Sequence, residues 1–167
     1  MRAHFSTFST LLHSATVFLC MVLFVIMAFS TAATVALRYV LSSGHLWLQD
    51  LSVFAFGLLA ILSLPVALFH DRHVRVDSFR NQQSAKTKFQ FDVFAVFAML
   101  VPLFSMLAIF AYGDVLASFK LGEGSPQIGG LPFYYIVKAG LPVSCILMMV
   151  QGVALLLPSS PKSHGER

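Results

Sequence analysis

The stretch with the most chemical potential is HDRHVRVD, His70 to Asp77, where two histidines, two arginines and two aspartates crowd into eight positions. His70 and His73, spaced i and i+3, share one face of a helix, and with Asp71 or Asp77 as a third ligand they would suit a transition metal. No cysteine lies near them, and no second histidine pair occurs elsewhere. Solvated or hydrogen-bonded histidines are the simpler reading. Cys20 and Cys145 stand alone in separate apolar runs without C-x-x-C spacing, as inert buried thiols do. No serine sits in a G-x-S-x-G nucleophile motif with a partnering base. The sequence therefore offers no catalytic set, no metal set and no cofactor site, and the chain does not read as an enzyme.

The elements that carry these residues follow from composition. Of 167 residues 57% are hydrophobic and 11% charged, against about 45–50% and about 25% in soluble domains. The apolar residues gather into four long runs: Ala15–Leu37, Leu51–Phe69, Val93–Tyr112 and Phe133–Leu157, with Lys138 the only charge inside any of them. Each approaches or exceeds the ~20 residues that a helix needs to cross ~30 Å of hydrocarbon. In lipid a segment must satisfy its own backbone hydrogen bonds, which favours helices, and no alternating ~10-residue segments suggest a barrel. The expected fold is thus an all-α integral membrane protein, one domain over residues 1–167 with four transmembrane helices. Pro65, Pro102 and Pro142 fall inside spans and predict local kinks. The small residues Ser30–Ala36 resemble a signal-peptidase site, but the apolar stretch is long for a cleaved leader and Arg2 is the one charge before it. Ahead of it, Phe5, Phe8 and Leu12 fall on one helical face with His4, Ser9 and His13 elsewhere. A short helix on the membrane surface and a frayed tail both fit that pattern.

Orientation follows from lysine and arginine. With the N-terminus inside, the inner side holds Arg2, Arg72, Arg75, Arg80, Lys86, Lys88, Lys162 and Arg167, and the outer side Arg38, Lys120 and Lys138. The excess predicts an N-in, C-in topology with a cytoplasmic loop over 70–88. Tyr39, Trp47, Tyr112, Tyr134 and Tyr135 all fall toward the opposite boundary, where amphipathic rings anchor at headgroups. The net charge of +4 suits a membrane lipid surface, and no aromatic-interleaved basic face points to nucleic acid. Asp50, Asp92 and Asp114 stand at span boundaries and no histidine lies within a span. That pattern lacks the ligands of a haem anchor and the buried carboxylate of a proton-coupled carrier. Small residues do recur: Ala28, Ala32 and Ala36 on the first span, Gly140 and Ser144 on the fourth. Such stripes let helices approach closely, most simply within the bundle, otherwise against another subunit.

Taken in order, several short motifs resemble the small membrane subunit of tripartite ATP-independent periplasmic (TRAP) transporters, the DctQ-like family. They are Arg38–Tyr39 ending span one, W-x-x-D over Trp47–Asp50 opening span two, and H-x-R-V-D over His73, Arg75 and Asp77. In the last span, Pro132 before aromatics and Pro142 before Ser144 agree. Two places depart from the family: Gln49 stands where a second acidic residue is common, and Ser63 and Pro65 replace a glycine-containing patch.

The resemblance implies a multi-pass protein of the bacterial inner (cytoplasmic) membrane in a sodium-coupled symport system for organic acids. Its partners would be a large multi-span membrane subunit, which carries the substrate and sodium sites, and a periplasmic substrate-binding protein. The small subunit would pack against the large one and stabilise it, with no cofactor of its own. Candidate structural or partner-contact residues are Arg38, Tyr39, Trp47, Asp50, His73, Arg75, Asp77, Pro132 and Pro142. Arg38 would either pair with Asp50 or reach lipid phosphates, and Trp47 would anchor in the interface or touch a partner. The connection Lys120–Pro132 would touch the binding protein or serve as a plain link. The competing reading is an autonomous four-helix homo-oligomeric carrier or channel; an anchor subunit of a respiratory enzyme ranks below it. Topology is open to direct test. Cysteines introduced at Ser43 and Gly124 should react with an impermeant thiol reagent in intact cells and one at Ser84 should not; the reverse pattern would invert the assignment.

Overall fold

A computed structural model describes residues 2–69, 85–126 and 129–156. Those residues are helical apart from the connections, with no strand among them. The helices are α1 (Arg2–Val40), α2 (Leu46–Phe69), α3 (Ala85–Phe94), α4 (Val101–Leu121) and α5 (Tyr134–Leu155). A π-helical turn over Ala95–Leu100 joins α3 to α4, so that the two form one span. Four apolar stretches are long enough to cross a membrane: Ser9–Val40, Leu46–Leu68, Phe89–Leu121 and Tyr134–Ala154. The α1–α2 and α4–α5 connections share one end of the bundle, called the upper end below.

Three of the spans outrun the apolar windows that composition marks, because a helix continues wherever its backbone bonds and neighbours support it. The N-terminal segment is not a separate surface helix. It continues straight into the first span as a single 39-residue helix, about 58 Å long. Its polar face turns toward protein: Ser9, His13 and Thr16, at i, i+4 and i+7, are all buried. The third span likewise extends past Tyr112 to Leu121.

The spans pack in the order α1, α2, α5, α3–α4, with α1 against α2, α2 against α5, and α5 against α4. This is an open row, with the second and fourth spans central. In the best apolar window of the last span 33% of residues are buried, against 6% in the third. A core of Leu23, Ala55 and Leu62 ties α1 to α2, and Leu147 of α5 packs on it.

Polar atoms set the register between helices. Pro65, fully buried in α2, has no N–H to give the carbonyl of Ile61 one turn earlier. Ser144 Oγ on α5 donates to that carbonyl at 2.7 Å. The proline's defect is thereby answered by the neighbouring helix, as membrane helices require. Just above, Gly140 lets α5 close on α2: a Cβ there would stand 2.5 Å from Leu58 Cδ2. Between α1 and α2, Ser30 Oγ and Ser52 Oγ lie 2.8 Å apart.

The stripe Gly140–Ser144 thus serves packing inside the bundle. The stripe Ala28, Ala32 and Ala36 does not: all three are exposed on the outer face of α1, contrary to the simpler expectation. The side of α1 that meets α2 is the one bearing Leu23 and Ser30, and a helix can bury only one side against a single neighbour.

At Pro102 the predicted kink takes the form of the π turn that precedes it. The N–H of Val101 reaches Val96, five residues back. Widening the ladder before a proline relieves the clash of its ring with the preceding turn.

The register invites a double-mutant test. Ser144→Ala should destabilise the chain by about 1 kcal/mol in detergent thermal unfolding. In a Pro65→Ala background, where residue 65 regains an N–H for Ile61, the same change should cost measurably less. Equal costs in both backgrounds would separate the hydroxyl from the proline.

Candidate functional site

The upper end gathers the motif residues. Asp50 lies in the second turn of α2 and is 5% exposed. Its Oδ2 accepts the backbone N–H of Leu131 at 3.0 Å, across 81 residues of sequence. Gly130 makes the approach feasible, since a Cβ there would fall 2.1 Å from Asp50 Oδ2 and 2.6 Å from Ser125 Cβ. The C=O of Leu131 in turn accepts the N–H of Ser125 at 2.9 Å. Leu131 is thereby held on both its donor and its acceptor.

A second anchor stands beside it. Helix α4 ends at Gly122 in the left-handed conformation (φ 60°), with the N–H of Gly122 reaching Phe119 and that of Glu123 reaching Ser118. This double closure is the Schellman arrangement, for which glycine carries no Cβ penalty. It delivers Glu123 to Lys138 of α5, with Nζ 2.6 Å from Oε2. Ser118 Oγ donates to the same carboxylate, and Lys138 Nζ also lies 2.8 Å from Ser118 Oγ. The ammonium stands 5.4 Å from the centroid of the Tyr134 ring, which packs on Phe54 of α2 at 5.6 Å. Both charged side chains are about one third exposed, so the pair itself contributes roughly 1 kcal/mol or less. Its larger effect is positional: one cluster links α4, α5 and, through Tyr134, α2.

Between the anchors the backbone is strained. Phe133 adopts φ 77°, ψ 31° as the residue before α5, a left-handed conformation costly for a bulky side chain. It persists because its neighbours are fixed, Leu131 by Asp50 and Tyr134 by an N–H···O bond to the Glu123 carbonyl at 3.1 Å. The Phe133 ring, half exposed, meets Tyr135 edge-on at 5.9 Å.

Residues 27–159 match the family described as tripartite ATP-independent periplasmic transporters, DctQ component. The chain belongs to that family. A comparison with curated proteins gives no match. The DctQ family is one of transporter components, and this DctQ component is a small subunit of the TRAP type with four helices able to span a membrane.

Within the DctQ fold the sequence candidates separate. Asp50 is buried and joined to the segment that leads into the last span through Pro132, itself exposed, while Pro142 lies inside α5 half-buried. Arg38 is exposed and forms no ion pair with Asp50. The carboxylate turns inward to a backbone amide, which leaves Arg38 facing the surroundings. Tyr39 is 80% exposed, and Trp47 is half exposed with its ring edge-on to His45 at 6.4 Å. His73, Arg75 and Asp77 lie outside the described residues, as does the possible His70–His73 metal pair. Among the described residues no three His, Cys, Asp or Glu side chains come together.

Sequence reasoning missed Lys138, Glu123 and Ser118 as a cluster. The available signal was Lys138 itself, the one charge inside an apolar run, which called for a partner. Ser30 and Ser52 were missed too, because a serine in an apolar helix gives no hint of whether it bonds its own backbone or a neighbour.

The Asp50 anchor yields a contrast between nearby charges. Asp50→Ala strands the Leu131 N–H and should cost about 1–3 kcal/mol in thermal unfolding, and Gly130→Ala should cost a similar amount through overpacking. The double change should cost less than the sum, since removing the carboxylate removes the closest clash. Arg38→Ala should be near neutral and additive with Asp50→Ala; coupling between Arg38 and Asp50 would contradict this assignment.

Proposed function

We propose that this DctQ component is the small membrane subunit of a sodium-coupled organic-acid uptake system in a bacterial inner membrane. It packs against a large multi-span subunit and widens the fixed part of the transporter, while a periplasmic binding protein delivers the substrate. Substrate and sodium sites belong to the large subunit, and this chain needs no cofactor. What supports the reading, beyond family membership, is the open row of helices. A self-contained four-helix carrier would close its helices around a path. Here α1 and the third span each hold on to one side only, and few residues of the third span's apolar stretch are fully buried. Of the polar side chains between helices, Ser30, Ser52 and Ser144 are engaged in joining them, while the buried Gln151 amide has no hydrogen-bond partner among the described residues.

The upper end, with its anchored Gly122–Phe133 connection, is the face offered toward the binding protein. Phe133 on that connection and the exposed rings Tyr39 and Trp47 at the same end supply the aromatic side chains that protein interfaces favour. Reconstitution tests the assignment. Proteoliposomes holding this chain alone should show no sodium-driven uptake of organic acids, and uptake should appear when the large subunit and binding protein are added. Uptake by the chain alone would favour an autonomous carrier instead.

A further inference from the structure

Composition ends the third span at Tyr112 and leaves Asp114 at its boundary. The helix instead runs on to Leu121, which draws Asp114 inside the apolar stretch Phe89–Leu121. Contacts between helices give its depth. The third span and α5 run antiparallel, with Leu100 beside Gly152, Ser105 Oγ 3.2 Å from Met149 Sδ, and the Phe119 and Tyr135 rings 5.3 Å apart. These pairs keep step along both helices, so Asp114 is level with Gly140 of α5. Gly140 in turn packs on Leu58, midway along the 24-residue α2. Asp114 therefore lies ~9 Å inside the start of α5 and ~18 Å from either end of α2. Half of a ~30 Å hydrocarbon layer is ~15 Å, so the carboxylate sits below the headgroups whichever helix defines the layer.

Asp114 is exposed on α4, and among the described residues no hydrogen bond or ion pair reaches it. Lys138, the cation nearest in level, is held by Glu123 with Nζ 2.6 Å from Oε2, so that pair is already neutral. Asp114 belongs to a stripe of Leu103, Leu107, Phe110, Asp114, Ala117 and Leu121, spaced alternately four and three apart, and all six are exposed. That seven-residue repeat is the seam one helix presents to another. Leucines alone would suit lipid equally well. The carboxylate decides the matter, because an ionised group in hydrocarbon is costly unless an opposite charge meets it, and intramembrane acids pair with basic groups. A second copy of this chain is a poor match. Its spans carry no lysine or arginine at this depth apart from Lys138, which is engaged.

We propose that the Asp114 stripe of α4 is the seam on which a membrane-spanning helix of the large subunit packs, and that this partner helix carries a lysine or arginine at mid-depth that pairs with Asp114. The inference rests on the assembly proposed above and adds to it the face used and the charge of the group that meets it. Ala117, one turn from Asp114, leaves room beside the carboxylate for a long cationic side chain.

The test coexpresses the full chain with the large subunit, purifies through a tag on the large subunit in detergent, and reads the ratio of the two chains. Asp114→Asn keeps the shape and hydrogen-bonding capacity but not the charge, and should lower the copurifying small chain by about tenfold or more. Asp114→Lys should abolish copurification. As isolated chains both variants should unfold thermally like the parent, since no described residue pairs with Asp114; earlier unfolding would give the carboxylate a role inside this chain and overturn the proposal. A photo-crosslinking amino acid at Phe110 should join the large subunit, and adducts to a second copy of this chain instead would overturn the seam. Normal copurification of Asp114→Asn would overturn the cationic partner, and of Asp114→Lys the seam itself, with the assembly left standing. A parent chain that does not copurify with the large subunit would overturn the assembly and the seam together.

Discussion

The bond from Ser144 Oγ to the Ile61 carbonyl is the constraint on which the arrangement of helices rests. Pro65 leaves that carbonyl without its helical donor, and in a hydrocarbon interior an unanswered backbone group costs several kcal/mol. Here a side chain from another helix supplies the missing donor. That requirement sets both the depth and the rotation of α5 against α2. With those fixed, Gly140 falls on Leu58 and Tyr134 falls on Phe54. At the upper end, Leu131 arrives at Asp50.

The remaining helices attach to this pair from opposite sides. Ser30 and Ser52 join α1 to α2, while Gly152, Lys138 and Glu123 join the third span to α5. Neither outer helix touches the other appreciably. An apolar helix in lipid gains little from burying a second face, because hydrocarbon solvates leucine as well as protein does. An open row is therefore stable in a membrane where it would not be in water. It also leaves long faces available to other membrane components, which suits a subunit whose family is defined by assembly into a larger transporter.

The upper end shows how rigidity is obtained at a place where the sequence suggests a partner contact or a plain connector. Gly122 turns the chain, Glu123 and Asp50 hold it at two points, and Phe133 bears the conformational strain between them. The two carboxylates do different work. Glu123 answers a lysine that emerges from an apolar helix, whereas Asp50 answers a backbone amide.

The number of spans, their apolar character and the family were legible in the sequence. Each depends on local composition and motif order: runs such as Leu51–Phe69 are too apolar for water, and Trp47–Asp50 with Pro132–Tyr135 mark the family. Partner choice was not legible. Arg38 and Asp50 are near neighbours in sequence and opposite in charge, yet the carboxylate bonds to Leu131 instead. The alanine stripe and the glycine–serine stripe look alike as spacing, yet Gly140 and Ser144 are buried while Ala28, Ala32 and Ala36 face outward. Nor did local pattern show that Ser9 and His13 turn inward on one continuous helix. Composition tells a segment which solvent it prefers. Which atom answers which depends on the relative depth and rotation of separate helices, and those are fixed only when the whole row packs.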